Sequence, residues 1–369
     1  MPIEAKKPQP KEGVMKIHAY VPGGSSIEGH DEVIKLASNE SPLGPSPKVI
    51  EAISGGLDHL ELYPDGGAEK LKAAIAETHG LDAAHIICGN GSEQLIAAIA
   101  QAYAGPGDEV VQSEFGFLAY GIATLAAGAN LVMGGEDDYT TRVEALLAAV
   151  RHNTRILFLA NPNNPTGTMI EEDELRWLRY KLPDRVLLVL DAAYAEYVED
   201  ENYIDGSALV AESITNGLEN VAVLHTFSKI YGLAAMRLGW CYGPPSVIDA
   251  INRVRGAFNV SSLAQKAGIA ALGDQAHVAE ARAHNSRWLP RLSDALEGFG
   301  YEVPPSFGNF VLCLFPGGAE ESVAVDKHLR DNGIIVRPVA GYQLPEALRI
   351  TIGTDRQMET LLEVLGKFK

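Results

Sequence analysis

The stretch His225-Thr-Phe-Ser-Lys229-Ile-Tyr-Gly-Leu-Ala-Ala-Met-Arg237-Leu-Gly239 follows directly on the apolar run Val221–Leu224. An apolar run that ends in Ser228-Lys229 predicts a strand whose carboxyl end carries a lysine. At the end of a central strand a lysine is partly desolvated. It loses proton affinity and becomes a competent amine for Schiff-base chemistry. Arg237, eight residues after Lys229, can return to the same place and clamp a phosphate with its fork. Taken alone, the segment also fits a capped loop with a solvated lysine.

Outward from this strand, short β-rich runs alternate with Ala/Leu-rich helical stretches over about residues 68 to 245. The predicted strands are His85–Cys88, Glu109–Gln112, Asn130–Val132, Arg155–Ala160, Val186–Asp191, Val221–Thr226 and Leu238–Tyr242. Several are almost wholly apolar, as strands covered on both faces should be. Helices are predicted between them at Ala68–Thr78, Glu93–Tyr103, Gly116–Ala127 and Glu171–Lys181. Such alternation predicts an α/β fold with a mostly parallel, doubly wound sheet, whose ligands bind beyond the carboxyl ends of its strands. After Gly243-Pro244-Pro245 the pattern changes to helices (Val247–Ala257, Leu263–Leu272, His277–Leu296) and two strands, Asn309–Phe315 and Leu348–Thr351, flanking the helix Ser322–Asn332. The expected organisation is an N-terminal segment 1–45 packing with the small domain and a partner subunit, a large domain 46–245, and a smaller α+β domain 246–369.

Three further motifs stand at predicted strand ends. Asp191 closes Val186-Leu-Leu-Val-Leu-Asp191. A carboxylate there needs a partner, since an unpaired buried charge costs several kcal/mol. A pyridinium nitrogen would serve, and so protonated the ring becomes an electron sink. A helix N-cap is the competing reading. Asn161-Pro-Asn-Asn164-Pro165-Thr166-Gly167 predicts a tight turn beyond a strand, with the Asn164 amide available to a ring oxygen, or simply a turn. Cys88-Gly89-Asn90-Gly91-Ser92-Glu93 leads into a helix whose free N–H groups suit a phosphate, or forms a glycine turn with a serine cap. It is not a dinucleotide fingerprint, because the third glycine of G-x-G-x-x-G would fall at Gln94. Together these features supply phosphate donors, a ring-nitrogen carboxylate, a ring-oxygen amide and an amine at strand ends of one sheet.

Bulk properties are compatible with this. The chain of 369 residues carries a formal net charge of −18, with 46% hydrophobic and 21% charged residues. An acidic surface repels nucleic-acid backbones and anionic lipid. No apolar run reaches the roughly 18 residues of a spanning helix, and the polar N-terminus has no signal-peptide core, so a cytoplasmic protein is expected. Cys88, Cys241 and Cys313 sit in apolar runs and are expected as buried thiols. The ten histidines show no zinc spacing. His277 and His284 are expected on a solvated helix face, and no metal is expected.

The motifs NPNNPTG, Asp191-Ala-Ala-Tyr194 and FSKIYGLAAMRLG resemble those of fold-type-I pyridoxal-phosphate aminotransferases. IHAYVPG, KLASNESPLGPSP, LYPDG, GNGSE and LRITIGT extend the resemblance over nearly the whole chain, to the histidinol-phosphate aminotransferase family. The resemblance implies a Schiff base on Lys229, which also shuttles the proton. Asp191 would pair with the ring nitrogen, and Asn164 and Tyr194 with the ring oxygen. Gly91, Ser92, Glu93, Ser228 and Arg237 would lie at the phosphate, and Phe115 would stack on the ring. Tyr63 would reach the phosphate of the neighbouring subunit in a homodimer with shared sites. Arg349 would grip the substrate carboxylate, with Asn39, Tyr20 and Arg337 at the substrate. The pattern departs from the family at Leu62, Ala192 and Glu93, where arginine and two acidic residues (aspartate at Glu93) are common. The implied reaction is transfer between histidinol phosphate and 2-oxoglutarate, in histidine biosynthesis. An aromatic-amino-acid aminotransferase or a phospho-amino-acid decarboxylase would share the cofactor. A nucleotide-binding oxidoreductase and a non-catalytic regulator are the readings from other classes.

Overall fold

Seven strands form one sheet in the computed structural model, which describes residues 8–19, 24, 26–30 and 32–368. They are β1 (Ile86–Gly89), β2 (Glu109–Ser113), β3 (Asn130–Gly134), β4 (Thr154–Ala160), β5 (Leu187–Asp191), β6 (Val221–Thr226) and β7 (Gly239–Tyr242). Their spatial order is β1-β7-β6-β5-β4-β2-β3. Strand β7 runs antiparallel to both neighbours, and the other pairings are parallel. The predicted strands therefore all form, with ends shifted by a residue or two.

Alternate residues of these strands feed two separate cores, as a period of two requires. Leu157, Leu159, Leu188, Leu190, Val221 and Val223 pack on one face with Leu71, Ile75 and Leu175. Ile156, Phe158, Leu187, Val189, Ala222 and Leu224 pack on the other with Leu95, Ile99 and Tyr120. Burial on both faces explains why these strands read as continuous apolar runs.

A second, three-stranded antiparallel sheet has the order β8-β10-β9, where β8 is Phe310–Leu314, β9 is Arg337–Pro338 and β10 is Ala347–Thr351. The two-residue β9 escaped the sequence reading because it is too short to show a period. Helices Gln275–Gly298, Gly318–Asp331 and Asp355–Leu365 pack with this sheet. The N-terminal segment joins the same part of the molecule: Ile34–Lys35 pairs in parallel with Ile334–Ile335. The chain continues through Leu36, whose carbonyl accepts from Thr351 N at 3.0 Å. Residues 37–40 are thereby laid against β10 and over the carboxyl edge of the large sheet.

One expectation fails in the helix Gln275–Gly298. His284 is buried, with Nε2 2.8 Å from the Gly353 carbonyl, and His277 Nε2 lies 3.0 Å from the Gly44 carbonyl. The His284 ring does not lie on a solvated face, and His277 is half-buried. Each fastens the helix to a loop by satisfying a backbone carbonyl, which removes the cost of burying it. The three cysteines are free and buried. No helix among the described residues is long and apolar enough to cross a membrane.

Candidate active site

Parallel strands place their carboxyl ends on one edge, and that edge opens into a cavity of about 230 Å³. Strand β5 delivers Asp191, β6 leads to Ser228 and Lys229, β4 leads to Asn164, and β1 leads to Ser92 and Glu93. The second sheet and the N-terminal segment close the cavity from the other side with Arg337, Arg349 and Asn39.

Lys229 Nζ donates to the Ser38 carbonyl at 3.2 Å and stands 5.6 Å from the centre of the Tyr194 ring. Its side chain keeps some surface open to the cavity. Even so, the protein packed around the amine pushes its pKa down to about 7, and the nearby Arg349 and Arg237 guanidinium groups push the same way. Asp191 is 5% exposed. Oδ2 accepts from the Tyr120 hydroxyl at 2.8 Å and Oδ1 from the Ala193 amide at 3.2 Å. Burial raises its pKa, against the opposing effect of those two hydrogen bonds.

The other groups are oriented by fixed partners. Tyr194 is buried, and its hydroxyl accepts from Asn39 Nδ2 at 2.9 Å. Asn39 holds a left-handed φ of 55° and is locked to Thr351, whose Oγ1 accepts from Asn39 N at 3.0 Å and donates to its Oδ1 at 3.0 Å. Asn164 accepts at Oδ1 from Arg349, so Nδ2 is its remaining donor. Arg349 also donates to the Ala37 carbonyl at 2.8 Å, while its buried Nε has no acceptor. Arg337 faces Arg349 across the β9–β10 pairing.

At the other end of the cavity, the helix Ser92–Tyr103 begins at Gly91, which has φ 80° and supplies no side-chain cap. Arg237 Nη1 donates to Ser228 Oγ at 3.3 Å, and Nη2 lies 4.0 Å from Glu93. A Cβ at Gly91 would come within 2.6 Å of the Arg237 guanidinium, and one at Gly239 within 2.5 Å of Ser92 N. The glycines thus keep open a nest of backbone, hydroxyl and guanidinium donors, the chemistry a phosphate ester needs.

Two expected residues stand apart from the cavity, and Tyr20 lies outside the described residues. Phe115 is not among the lining residues. Its ring faces Tyr139 at 6.1 Å and packs near Leu312 and Leu314. Phe117 and Tyr120 line the cavity instead. The reason is the turn before the helix Leu118–Ala127, which directs residues 117 and 120 inward on one face. That i,i+3 spacing was the available signal for both. Tyr63 is 81% exposed and stacks on Phe258 at 4.6 Å, away from this chain's own cavity. Ser38 had no signal, because it contributes only its carbonyl.

Residues 31–365 match the family model for aminotransferase class I and II. Histidinol-phosphate aminotransferases of Rhodopseudomonas palustris strain HaA2 and Rhodospirillum rubrum are 47% and 49% identical to the chain. The first alignment covers 98% of both proteins, and the second 98% of this chain and 97% of the relative. The crystal structure of histidinol-phosphate aminotransferase from Sinorhizobium meliloti with pyridoxal-5'-phosphate is 30% identical, with a TM-score of 0.84 over 91% of this chain and 92% of that one. Near full-length coverage in sequence and in structure agrees with the family match: the chain belongs to the class I and II aminotransferase family, on its histidinol-phosphate aminotransferase branch.

Proposed function

We propose that the protein is a pyridoxal-phosphate-dependent aminotransferase that interconverts histidinol phosphate and its keto phosphate, with 2-oxoglutarate and glutamate as the second pair. One observation carries this reading: a depressed lysine amine, a buried carboxylate and three arginines share one cavity. Bound there, pyridoxal phosphate supplies an aldehyde that accepts amino groups and a ring that delocalises electrons from the substrate carbon.

The chain's own residues do the rest. Gly91, Ser92, Glu93, Ser228 and Arg237 would hold the phosphate, with the helix start and the guanidinium as its donors. Asp191 would hold a proton on the ring nitrogen, a cationic partner that its buried carboxylate lacks among Tyr120 and Ala193. Tyr120 orients that carboxylate, and Phe117 rather than Phe115 offers an aromatic wall. Asn164 Nδ2 and the Tyr194 hydroxyl address the ring oxygen. Lys229 is neutral in a useful fraction near pH 7, so with the cofactor bound its amine would take the proton from the substrate Cα and deliver it to the cofactor's former aldehyde carbon, on the other side of the amino nitrogen. The Arg349 Nε without an acceptor is suited to a substrate oxyanion, and Arg337 adds a second cation for the phosphate of histidinol phosphate or the distal carboxylate of glutamate. The relatives' names support the substrate.

Tyr63 would complete the phosphate site of a second subunit. Tyr63, Leu60, Leu62 and Phe258 are large apolar side chains left exposed on one chain, as expected of a face that a partner covers. The cytoplasm is the compartment this reading implies.

The test is kcat/KM for histidinol phosphate, glutamate and phenylalanine in wild type and Arg337→Ala, after borohydride labelling has identified the modified lysine. The label is expected on Lys229. A hydrogen bond to a charged group is worth about 1.5–3 kcal/mol, so Arg337→Ala should lower the first two donors about 10- to 150-fold and spare phenylalanine. Equal loss for all three would make Arg337 structural. A wild type that prefers phenylalanine would favour the aromatic aminotransferase.

A further inference from the structure

Behind the start of the helix Ser92–Tyr103, outside the cavity, runs a chain of hydrogen bonds in which each group dictates the orientation of the next. Arg255 follows the helix Pro245–Val254. Its Nη2 donates to the Gly66 carbonyl at 2.8 Å, its Nε to Asn252 Oδ1 at 2.9 Å, and its Nη1 to Asn259 Oδ1 at 2.7 Å. A guanidinium can only donate, so the Asn259 oxygen must face it. Asn259 Nδ2 then points the other way, donating to Gln94 Oε1 at 2.7 Å and to the Cys88 carbonyl at 3.1 Å. Gln94 Oε1 accepts a second donor, the Asn90 amide, at 2.7 Å. Flipping Asn259 would set donor against donor and acceptor against acceptor, and flipping Gln94 would set its amino group against two donors. The relay therefore has one orientation.

Its two ends on the backbone are the Cys88 carbonyl and the Asn90 amide, the groups on either side of Gly89. They frame the turn that delivers Gly91 and Ser92. Tolerance there is small, since a single added carbon at Gly239 would come within 2.5 Å of Ser92 N and 2.9 Å of the Gly91 carbonyl carbon, both backbone atoms of the turn. We propose that Asn259 and Gln94, oriented by Arg255, are positioning residues that hold the Gly89–Ser92 turn in the geometry that receives the cofactor's phosphate. This rests on the pyridoxal-phosphate reading above. Neither side chain lines the cavity, so both act through the turn and not by contact.

The experiment compares two compounds with the same ring and aldehyde: pyridoxal phosphate and pyridoxal, which has no phosphate. Their binding to the apoprotein is followed by absorbance, together with thermal unfolding of the apoprotein. The variants are Asn259→Asp, which keeps the shape but turns an acceptor toward Cys88 and Gln94, and Gln94→Met, which keeps the length but accepts nothing from Asn90. Each should weaken pyridoxal phosphate at least about tenfold, the scale of one well-placed hydrogen bond, and leave pyridoxal within about twofold of wild type. Equal weakening of both compounds in both variants would mean general loosening and overturn the positioning role. Unchanged binding of both would overturn it as well. A wild-type apoprotein that takes up neither compound refutes the cofactor reading, and the proposal with it.

Discussion

Lys229 shows how far a single residue is altered by where its strand ends. A lysine with a pKa of 10.5 in an unfolded chain is held at about 7 in the folded one. Between those two values the unfolded chain binds the extra proton and the folded chain does not, so this group makes folding more favourable as pH rises from about 7 to 10.5. Below that window the folded chain carries the full cost of the buried ammonium. Lys229→Met deletes the cost. The cofactor-free variant should therefore melt above cofactor-free wild type at pH 7, and the gap should shrink as pH approaches 10.5. Differential scanning calorimetry across that range measures it. A gap independent of pH would show that the amine is not depressed. The same residue was legible in the sequence, because Ser228-Lys229 interrupts an apolar run. Arg349 was legible only by resemblance: nothing in the local pattern of Ala347–Thr351 says that this strand ends over another sheet.

At the scale of the element, β6 leads to Lys229 and also places His225 in a charged cluster on the face packed by Val223 and Trp240. His225 is 2% exposed and stacks on Trp240 at 4.2 Å, with Asp205 3.4 Å and Glu196 3.8 Å from its ring nitrogens. Burial lowers its pKa, but the two carboxylates outweigh burial and raise it to about 9, while Asp205 falls to about 2. At these distances and without ideal hydrogen-bond geometry, attraction between charges is the main link. A histidine whose folded pKa exceeds its unfolded 6.5 contributes stability that is fully present below pH 6.5 and is lost as pH rises through about 9. Removing one partner of a buried ion pair costs on the order of 3 kcal/mol, so His225→Gln should lower unfolding free energy by about that much at pH 6 and by clearly less at pH 9.5. Urea titrations at the two values decide it. An equal loss at both would mean that His225 is neutral and held only by packing. The sequence showed His225 as a strand residue near Lys229, and could not show its carboxylates, which come from the 3-10 turn Ala195–Tyr197 and from the loop before the helix Ser207–Thr215.

The whole molecule is where the proposed dimer is tested. Tyr63 lies far out on the surface of one chain, so a role at a phosphate requires a second chain. Mixing inactive Lys229→Ala subunits with inactive Tyr63→Ala subunits should restore activity, because each mixed dimer contains one site with an intact lysine and an intact tyrosine from the other chain. Activity measured against mixing time, alongside sedimentation, follows the exchange. A fully active monomer, or no recovery after proven exchange, would refute shared sites.

The sequence by itself determined the large sheet and the residues of its strand ends that line the cavity. Both are written locally. Strands buried on two faces must be continuous apolar runs, and the turns beyond them must be built from Gly, Pro, Asn and Ser. What joins the two parts was decided by the tertiary structure alone. Asn39 reaches Thr351 across 312 positions, and Ile34–Lys35 adds to Ile334–Ile335. Tyr120, 71 positions from Asp191 in the chain, supplies its hydrogen bond. Such contacts follow from how finished elements pack, and a local pattern records only which face of an element is apolar. For that reason the helix beginning near Gly116 was visible in advance, while the placing of Phe117 and Tyr120 at the cavity came only when the helix was docked.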